Sequence, residues 1–291
     1  MSLKKILFPL KNVFWRIAPK KLGNKMVAHY FRRRKFKKQE WMNLNVYVIG
    51  KCNLNCVSCQ AFAPIADDYV YSAASFESDC KRLSGLGGER IREITLLGGE
   101  PLLHPQFEEL IAIARSHFPR SSLKIVTNGT LLLKQSQSFW NCCKSNGAYI
   151  AITHYPIKLD IKSIKAAMER YGVVLRYTGD MQPWSKMTFD LNGNGDPREN
   201  YKKCYVSLQC PELQDGKIAT CQTILKMRYF NNYFRKNLEV TDADTIDIYK
   251  AQSMDEILEF ISKPAPFCKY CIVKWPPIKW GVSKKDISEW T

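Results

Sequence analysis

Between Leu44 and Asp190, short apolar runs alternate with longer stretches whose apolar residues recur at helical spacing. The apolar runs predict strands at Asn45–Ile49, Arg92–Leu97, Ser122–Thr127, Tyr149–Thr153, Val173–Tyr177 and Lys186–Phe189. The stretches between them predict helices at Ser75–Ser84, Gln106–Ser116, Gln135–Asn146 and Ile161–Tyr171. Strand–helix alternation implies an α/β fold with a parallel sheet. Six such units are too few to close an eight-stranded barrel. Two further helices are expected at Thr223–Lys236 and Ser253–Ser262, with apolar residues that suit packing and carry no chemistry.

In parallel βα folds the chemistry sits at the C-terminal ends of the strands. Five such ends are polar or Gly-rich: Cys52–Cys59, Gly98–Pro101, Thr127-Asn128-Gly129, His154-Tyr155-Pro156 and Thr178-Gly179-Asp180. Gly129 reads as an Asn-Gly turn residue. His154 is the candidate general base or substrate hydrogen-bonding group, against the plainer reading of a structural His beside Tyr-Pro.

The first strand end reads KCNLNCVSCQ and places Cys52, Cys56 and Cys59 in a C-x3-C-x2-C arrangement. Thiolates this close can converge on one metal centre, and they are the usual holders of iron–sulfur clusters. Zinc with a fourth ligand elsewhere is the alternative, although zinc motifs usually come as C-x2-C pairs. The second strand end reads LLGGEP. Gly98 and Gly99 let a ligand approach the backbone, and Glu100 puts a carboxylate there that suits an ammonium group.

Together these stretches resemble the radical S-adenosylmethionine (SAM) enzymes. The resemblance implies a partial (β/α)6 TIM-like barrel. It also implies that Cys52, Cys56 and Cys59 hold a [4Fe-4S] cluster and that SAM chelates its open iron. Gly98, Gly99, Glu100 and Pro101 are then the SAM contact, with Thr127 and Asn128 matching a family Thr-Asn-Gly near SAM. One departure is Ser58, where the family usually has an aromatic residue. It bears on packing against the SAM adenine, not on the cluster.

After Asp190 the character changes. Asn192-Gly193-Asn194-Gly195-Asp196-Pro197 is a loop and a plausible domain junction, and five of the eleven cysteines follow it. Cys210 to Cys221 encloses an Asp215-Gly216 hairpin signal, and Cys268 and Cys271 form a C-x2-C pair. A zinc ribbon is the simple reading. The Gly216-x4-Cys221 pattern also resembles the shortened SPASM domain called twitch, which carries an auxiliary [4Fe-4S] cluster. That resemblance implies Cys204, Cys221, Cys268 and Cys271 as ligands, with Cys210 as the substitute for Cys204. The expected domains are a basic arm at 1–42, the barrel at 43–190, and a small cysteine-containing C-terminal auxiliary-cluster domain with a tail at 191–291. The tail, with Trp275, Trp280 and Trp290, is expected to pack over the barrel mouth or fray. Cys80, Cys142 and Cys143 are expected as small buried hydrophobes in helices.

Composition adds two points. Eleven cysteines without a secretory signal suggest a reducing, cytoplasmic setting. The net charge of +17 is uneven: residues 1 to 42 hold thirteen Lys or Arg and one acid, so +12 of it lies there. This is not a whole-protein nucleic-acid signal. The arm mixes cations with Phe14, Trp15 and Ile17, which suits peripheral contact with the inner face of a membrane, against the alternative of helices packed on the body.

The implied activity is reductive cleavage of SAM to a 5′-deoxyadenosyl radical that abstracts a substrate hydrogen, with a flavodoxin- or ferredoxin-type reductant. The stretch after Cys59 and the tail from Trp280 resemble a radical SAM group found with bacterial surface-polysaccharide enzymes. The expected reaction is therefore oxidation or rearrangement of a carbohydrate, a small or lipid-linked molecule. The rival readings are a peptide-modifying SPASM-type maturase and a non-catalytic iron–sulfur electron carrier or scaffold.

Overall fold

The computed structural model describes residues 34–177 and 184–291. The first 33 residues of the arm and the strand end Thr178-Gly179-Asp180 lie outside the described residues. Strands β1 (Met42–Tyr47), β2 (Ile91–Leu97), β3 (Ser122–Thr127), β4 (Ala148–Ile152) and β5 (Leu175–Tyr177) run parallel, in the spatial order β5-β4-β3-β2-β1. Helices α1 (Ala73–Gly87), α2 (Phe107–His117), α3 (Gln137–Ser145) and α4 (Ile161–Tyr171) make the crossovers.

The helix starts are set locally. The side chains of Ser72, Ser136 and Asp160 accept from the backbone N–H of Ser75, Phe139 and Ser163, which satisfies donors that the first turn leaves free. Gly172 ends α4 in the left-handed conformation that a side chain would disfavour. The apolar faces, including Phe76, Leu83, Leu110, Trp140 and Met168, pack with Val46, Leu96 and Ile150 of the sheet in one core. Cys80 and Cys143 are buried in that core, and Cys142 is half-buried beside it.

The sheet has six parallel strands among the described residues, but the sixth is not Lys186–Phe189. Strand β6 (Thr188–Phe189) leaves the sheet and pairs antiparallel with β10 (Cys271–Ile272). Its Phe189 packs in a second apolar cluster with Phe62, Phe230 and Trp290. The sixth parallel strand is β7 (Glu212–Gln214), which adds to the free edge of β1 with Asn45 opposite Glu212. Strands β8 (Lys217–Ala219) and β9 (Thr245–Asp247) then continue the sheet antiparallel. Asp215 and Gly216 make the β7–β8 turn, both at positive φ, as the Asp-Gly signal requires.

Helix α5 (Pro197–Lys203) precedes Cys204, α6 (Gln222–Phe234) follows Cys221, and α7 (Met254–Ile261) precedes the Cys268–Cys271 turn. The arm's last residues belong to this part of the fold. The Lys35 ammonium is buried and donates to the carbonyls of Lys202 and Cys204. Those carbonyls are left free at the end of α5, where a cation is favoured. Phe36 meets Tyr201 edge to face at 5.3 Å between centroids.

Candidate active site

The cysteine loop leaves the end of β1 and lies against the end of β2. The contact is tight enough to explain Gly98 and Gly99. A Cβ on Gly98 would meet the Ile49 carbonyl at 2.6 Å, and one on Gly99 would meet the Gly50 and Lys51 carbonyls at 2.4 Å. The Gly99 N–H donates to Ile49 at 2.7 Å and the Glu100 N–H to Lys51 at 2.9 Å. The two glycines therefore admit the root of the cysteine loop itself, a close approach of backbone to backbone.

Glu100 is fully buried, and its carboxylate is shared among three donors. These are the Leu102 N–H at 3.2 Å, the Thr127 hydroxyl at 2.7 Å and the Asn128 N–H at 2.9 Å. Burial pushes the carboxyl up, and the three hydrogen bonds oppose it. Glu100 thus ties the end of β2 to the end of β3. Asn128 reaches on to the cysteine loop, donating to Asn53 Oδ1 at 2.8 Å. Asn53 in turn donates to Thr130 at 2.7 Å.

These strand ends enclose a cavity of about 340 Å³. Cys52, Cys56, Cys59, Gly98, Gly99, Thr127 and Asn128 all line it. Glu100 and Pro101 are buried behind this lining rather than in it. His154 does not line it, while its neighbours Thr153 and Tyr155 do, as alternation along an extended chain places them. The remaining wall has no counterpart among the expected residues: Gln60, Trp184, Ser185, Tyr205 and Gln222. Tyr155 and Trp184 sit 5.4 Å apart. Gln222 donates to Gln60 at 3.3 Å. Among the described residues lining the cavity, none is Lys, Arg, His, Asp or Glu.

The tail holds this loop from outside. Trp290 is fully buried and its indole N–H donates to the Cys59 carbonyl at 3.0 Å. The Ser58 hydroxyl donates to the Glu289 carbonyl at 2.6 Å, and the Ser58 N–H to the Glu289 carboxylate at 3.1 Å. The same carboxylate accepts from Ser283 and from the Lys284 N–H, both at 2.7 Å. Ser58, at φ 52°, is the position where an aromatic residue was expected, and it serves as the tail's anchor. Of the two expectations for the tail, packing rather than fraying holds for Trp290, while the role of Glu289 had no sequence signal.

The chemistry of the donor set fits iron and sulfur. Burial pushes the thiols of Cys52 and Cys56 up to about 12 and about 11, and raises that of Cys59 as well. Such thiols stay neutral until a metal takes the proton's place, so metal loading would release protons. Among the described residues, no three His, Cys, Asp or Glu side chains already form a closed metal-holding group. The three thiols nevertheless share one cavity wall with no oxygen-donor carboxylate, which suits a thiolate-bound cluster.

The second set is assembled from distant segments. Asn200 of α5 donates to the carbonyls of Cys268 at 2.9 Å and Cys271 at 2.8 Å, which brings the end of α5, and Cys204, to the C-x2-C turn. Cys271 pairs with Phe189 in the β6–β10 ribbon. Burial raises the Cys271 thiol, and the nearby thiols of Cys221, Cys268 and Cys204 add to it. Cys221 and Cys268 are pushed up to about 12, each by burial and then by members of the same set. Burial pushes the Cys210 thiol up to about 11, and of that set only Cys204 adds to it, while Lys124 and Asn45 oppose the shift.

Residues 46–170 match the model of the radical SAM superfamily. The probable GTP 3′,8-cyclase of Methanothermobacter marburgensis is 35% identical over 91 residues, which is 31% of this chain and 28% of that protein. The GTP 3′,8-cyclase of Chlorobaculum tepidum is 33% identical over 94 residues, 32% of this chain and 27% of that protein. The matched region thus spans less than a third of those relatives. A crystal structure of BtrN in complex with AdoMet and 2-DOIA superimposes with a TM-score of 0.51 at 17% identity. It covers 80% of this chain and 94% of that one, and shows a shared fold. The strand ends that gather three cysteines around one cavity therefore lie in a radical SAM superfamily domain, residues 46–170, whose family works with a [4Fe-4S] cluster and SAM.

Proposed function

We propose that the chain abstracts a hydrogen from an uncharged, hydroxyl-bearing substrate, oxidising or rearranging a carbohydrate or sugar-linked molecule. The observation that carries this reading is the cavity wall. Gln60, Gln222, Ser185 and Tyr205 offer amide and hydroxyl groups, Trp184 and Tyr155 offer flat apolar faces, and no charged side chain is among the described lining residues. A triphosphate needs cations to bind it, so the GTP of the cyclase relatives is a poor match. BtrN, which shares the fold, is known in complex with AdoMet and 2-DOIA.

Cys52, Cys56 and Cys59 would hold a [4Fe-4S] cluster and Gly98, Gly99, Thr127 and Asn128 would face SAM. Together, when bound, these cofactors supply reductive cleavage to a 5′-deoxyadenosyl radical. The protein's own part is placement and shielding. Glu100 fixes Thr127 and Asn128, so the face offered to SAM is already rigid. Tyr155 and Trp184 exclude water from the reacting centre. The hydrogen-bonded Gln60 and Gln222 side chains would orient substrate hydroxyls. At this strand end Tyr155, rather than His154, is the side chain offered to the substrate. Cys204, Cys221, Cys268 and Cys271 would hold a second [4Fe-4S] cluster. A flavodoxin- or ferredoxin-type protein would deliver the electron.

Reconstituted protein with dithionite and SAM should make 5′-deoxyadenosine faster when neutral sugars or cyclitols are added as a panel, and no faster with GTP. Stimulation by GTP alone would overturn the substrate class.

Residues 1–33 we assign to an anionic membrane surface, on their cations and aromatic residues. Among the described residues, no helix is long and apolar enough to cross a membrane. Vesicle co-sedimentation should depend on anionic lipid, weaken with salt and vanish on removal of residues 1–33. The cut belongs at residue 33 because Lys35 closes α5. Sedimentation unaffected by that deletion would refute the assignment.

A further inference from the structure

One buried charge pair lies between the two cysteine sets and is used by neither. Lys226 of α6 and Glu212 of β7 are both fully buried and bonded to each other. Burying two charges is costly, and a pair of this kind is a weak source of stability. It is also incompletely satisfied, since Glu212 Oε2 has no hydrogen-bond partner. A pair that adds little stability calls for another role.

Its position suggests one. Helix α6 begins one residue after Cys221, and Lys226 is little more than a turn further on. Gln222, in that first turn, lines the SAM cavity and accepts from Lys226 through its carbonyl at 3.4 Å. On its other side the Lys226 ammonium lies 4.1 Å from the centre of the Tyr47 ring. The Tyr47 hydroxyl donates to Ala61, two residues after Cys59. Lys226 thus projects from the helix that Cys221 caps toward Tyr47, whose hydroxyl is bonded to the Cys59 loop. Burial lowers the Lys226 ammonium, whereas Glu212, Cys221 and Cys59 raise it. Metal-bound thiolates are anions, so cluster loading would favour the protonated form.

We infer that Lys226 and Glu212 are positioning charges that set the reduction potentials of the iron–sulfur sites on either side of them. This rests on the two-cluster reading above. A cation near a cluster stabilises the added electron, and a carboxylate opposes it. In a buried site both are screened less than they would be in water. The charge next to a cluster is one of the protein's main levers on its potential.

The test is an EPR-monitored redox titration of anaerobically reconstituted full-length protein. Lys226→Met should shift the potential of the nearer cluster downward, and Glu212→Gln should shift it upward. The Lys226→Met/Glu212→Leu double variant should fall between them. Loosened packing does not predict opposite signs from two partners of one bond. Potentials that stay put in both single variants, or move in the same direction, overturn the inference. Should Lys226→Met fail to retain iron, the near-isosteric Glu212→Gln decides alone: a rise supports the inference, and no change or a fall overturns it. A wild type with only one cluster signal would refute the two-cluster reading, while the response of the Cys52, Cys56 and Cys59 site would still be measured.

Discussion

The two cysteine sets of this chain, each proposed to hold a cluster, are assembled in opposite ways. Cys52, Cys56 and Cys59 come from one loop at the end of β1 and face a cavity made by neighbouring strand ends. Cys204, Cys221, Cys268 and Cys271 come from three separate segments, of which Asn200 ties the first to the third. The first site draws its cysteines from a single loop, which the Gly-Gly admits and the tail pins through Trp290 and Glu289. The second exists only once its segments have packed, so ligand loss there should couple to local folding.

The largest expected effect breaks the second site. Wild type should hold about eight irons if both sites are four-iron clusters, and Cys204→Ala should fall toward about four. Cys210→Ala should keep nearly all its iron, because Cys221, Cys268 and Cys204 are the thiols that bear on Cys271 electrostatically and Cys210 is not among them. Iron and acid-labile sulfide assays check this. Loss in Cys210→Ala with retention in Cys204→Ala would exchange their places.

A smaller effect sharpens the comparison at the first site. Glu289 accepts from Ser58, Ser283 and Lys284, so Glu289→Ala strands one buried donor, the Ser58 N–H, and two part-buried ones. The cost should be about 1–3 kcal/mol of stability, the penalty typical of an unsatisfied buried group. It should fall on the cysteine loop, so brief exposure to air should strip iron from the first site and spare the second. Thermal unfolding and EPR of the remaining cluster measure both. Equal loss from the two sites would mean that the tail does not act through this loop.

This contrast also explains what could be read in the sequence. Strands β1 to β5 and their four helices were legible because their apolar periods act locally. The C-x3-C-x2-C loop and Gly98-Gly99 were legible for the same reason, although the glycines admit backbone rather than ligand alone. The sixth parallel strand was misplaced, because a segment as short as β7 carries no readable period and its Glu212 looks like a surface residue. Glu289 and Lys226 were invisible, since only tertiary packing buries a charge from a polar tail or an ordinary helix. Trp184 and Gln222 reach the cavity through chain geometry that sequence spacing does not encode.

The central claim is that Cys52, Cys56 and Cys59 hold the cluster at which SAM is cleaved. The direct measurement is 5′-deoxyadenosine formed from SAM by anaerobically reconstituted protein with dithionite, comparing wild type with a Cys52→Ala, Cys56→Ala, Cys59→Ala triple variant. Wild type should form 5′-deoxyadenosine and methionine. The triple variant should form neither, while keeping the iron of the second site. Equal turnover by both proteins would contradict the account.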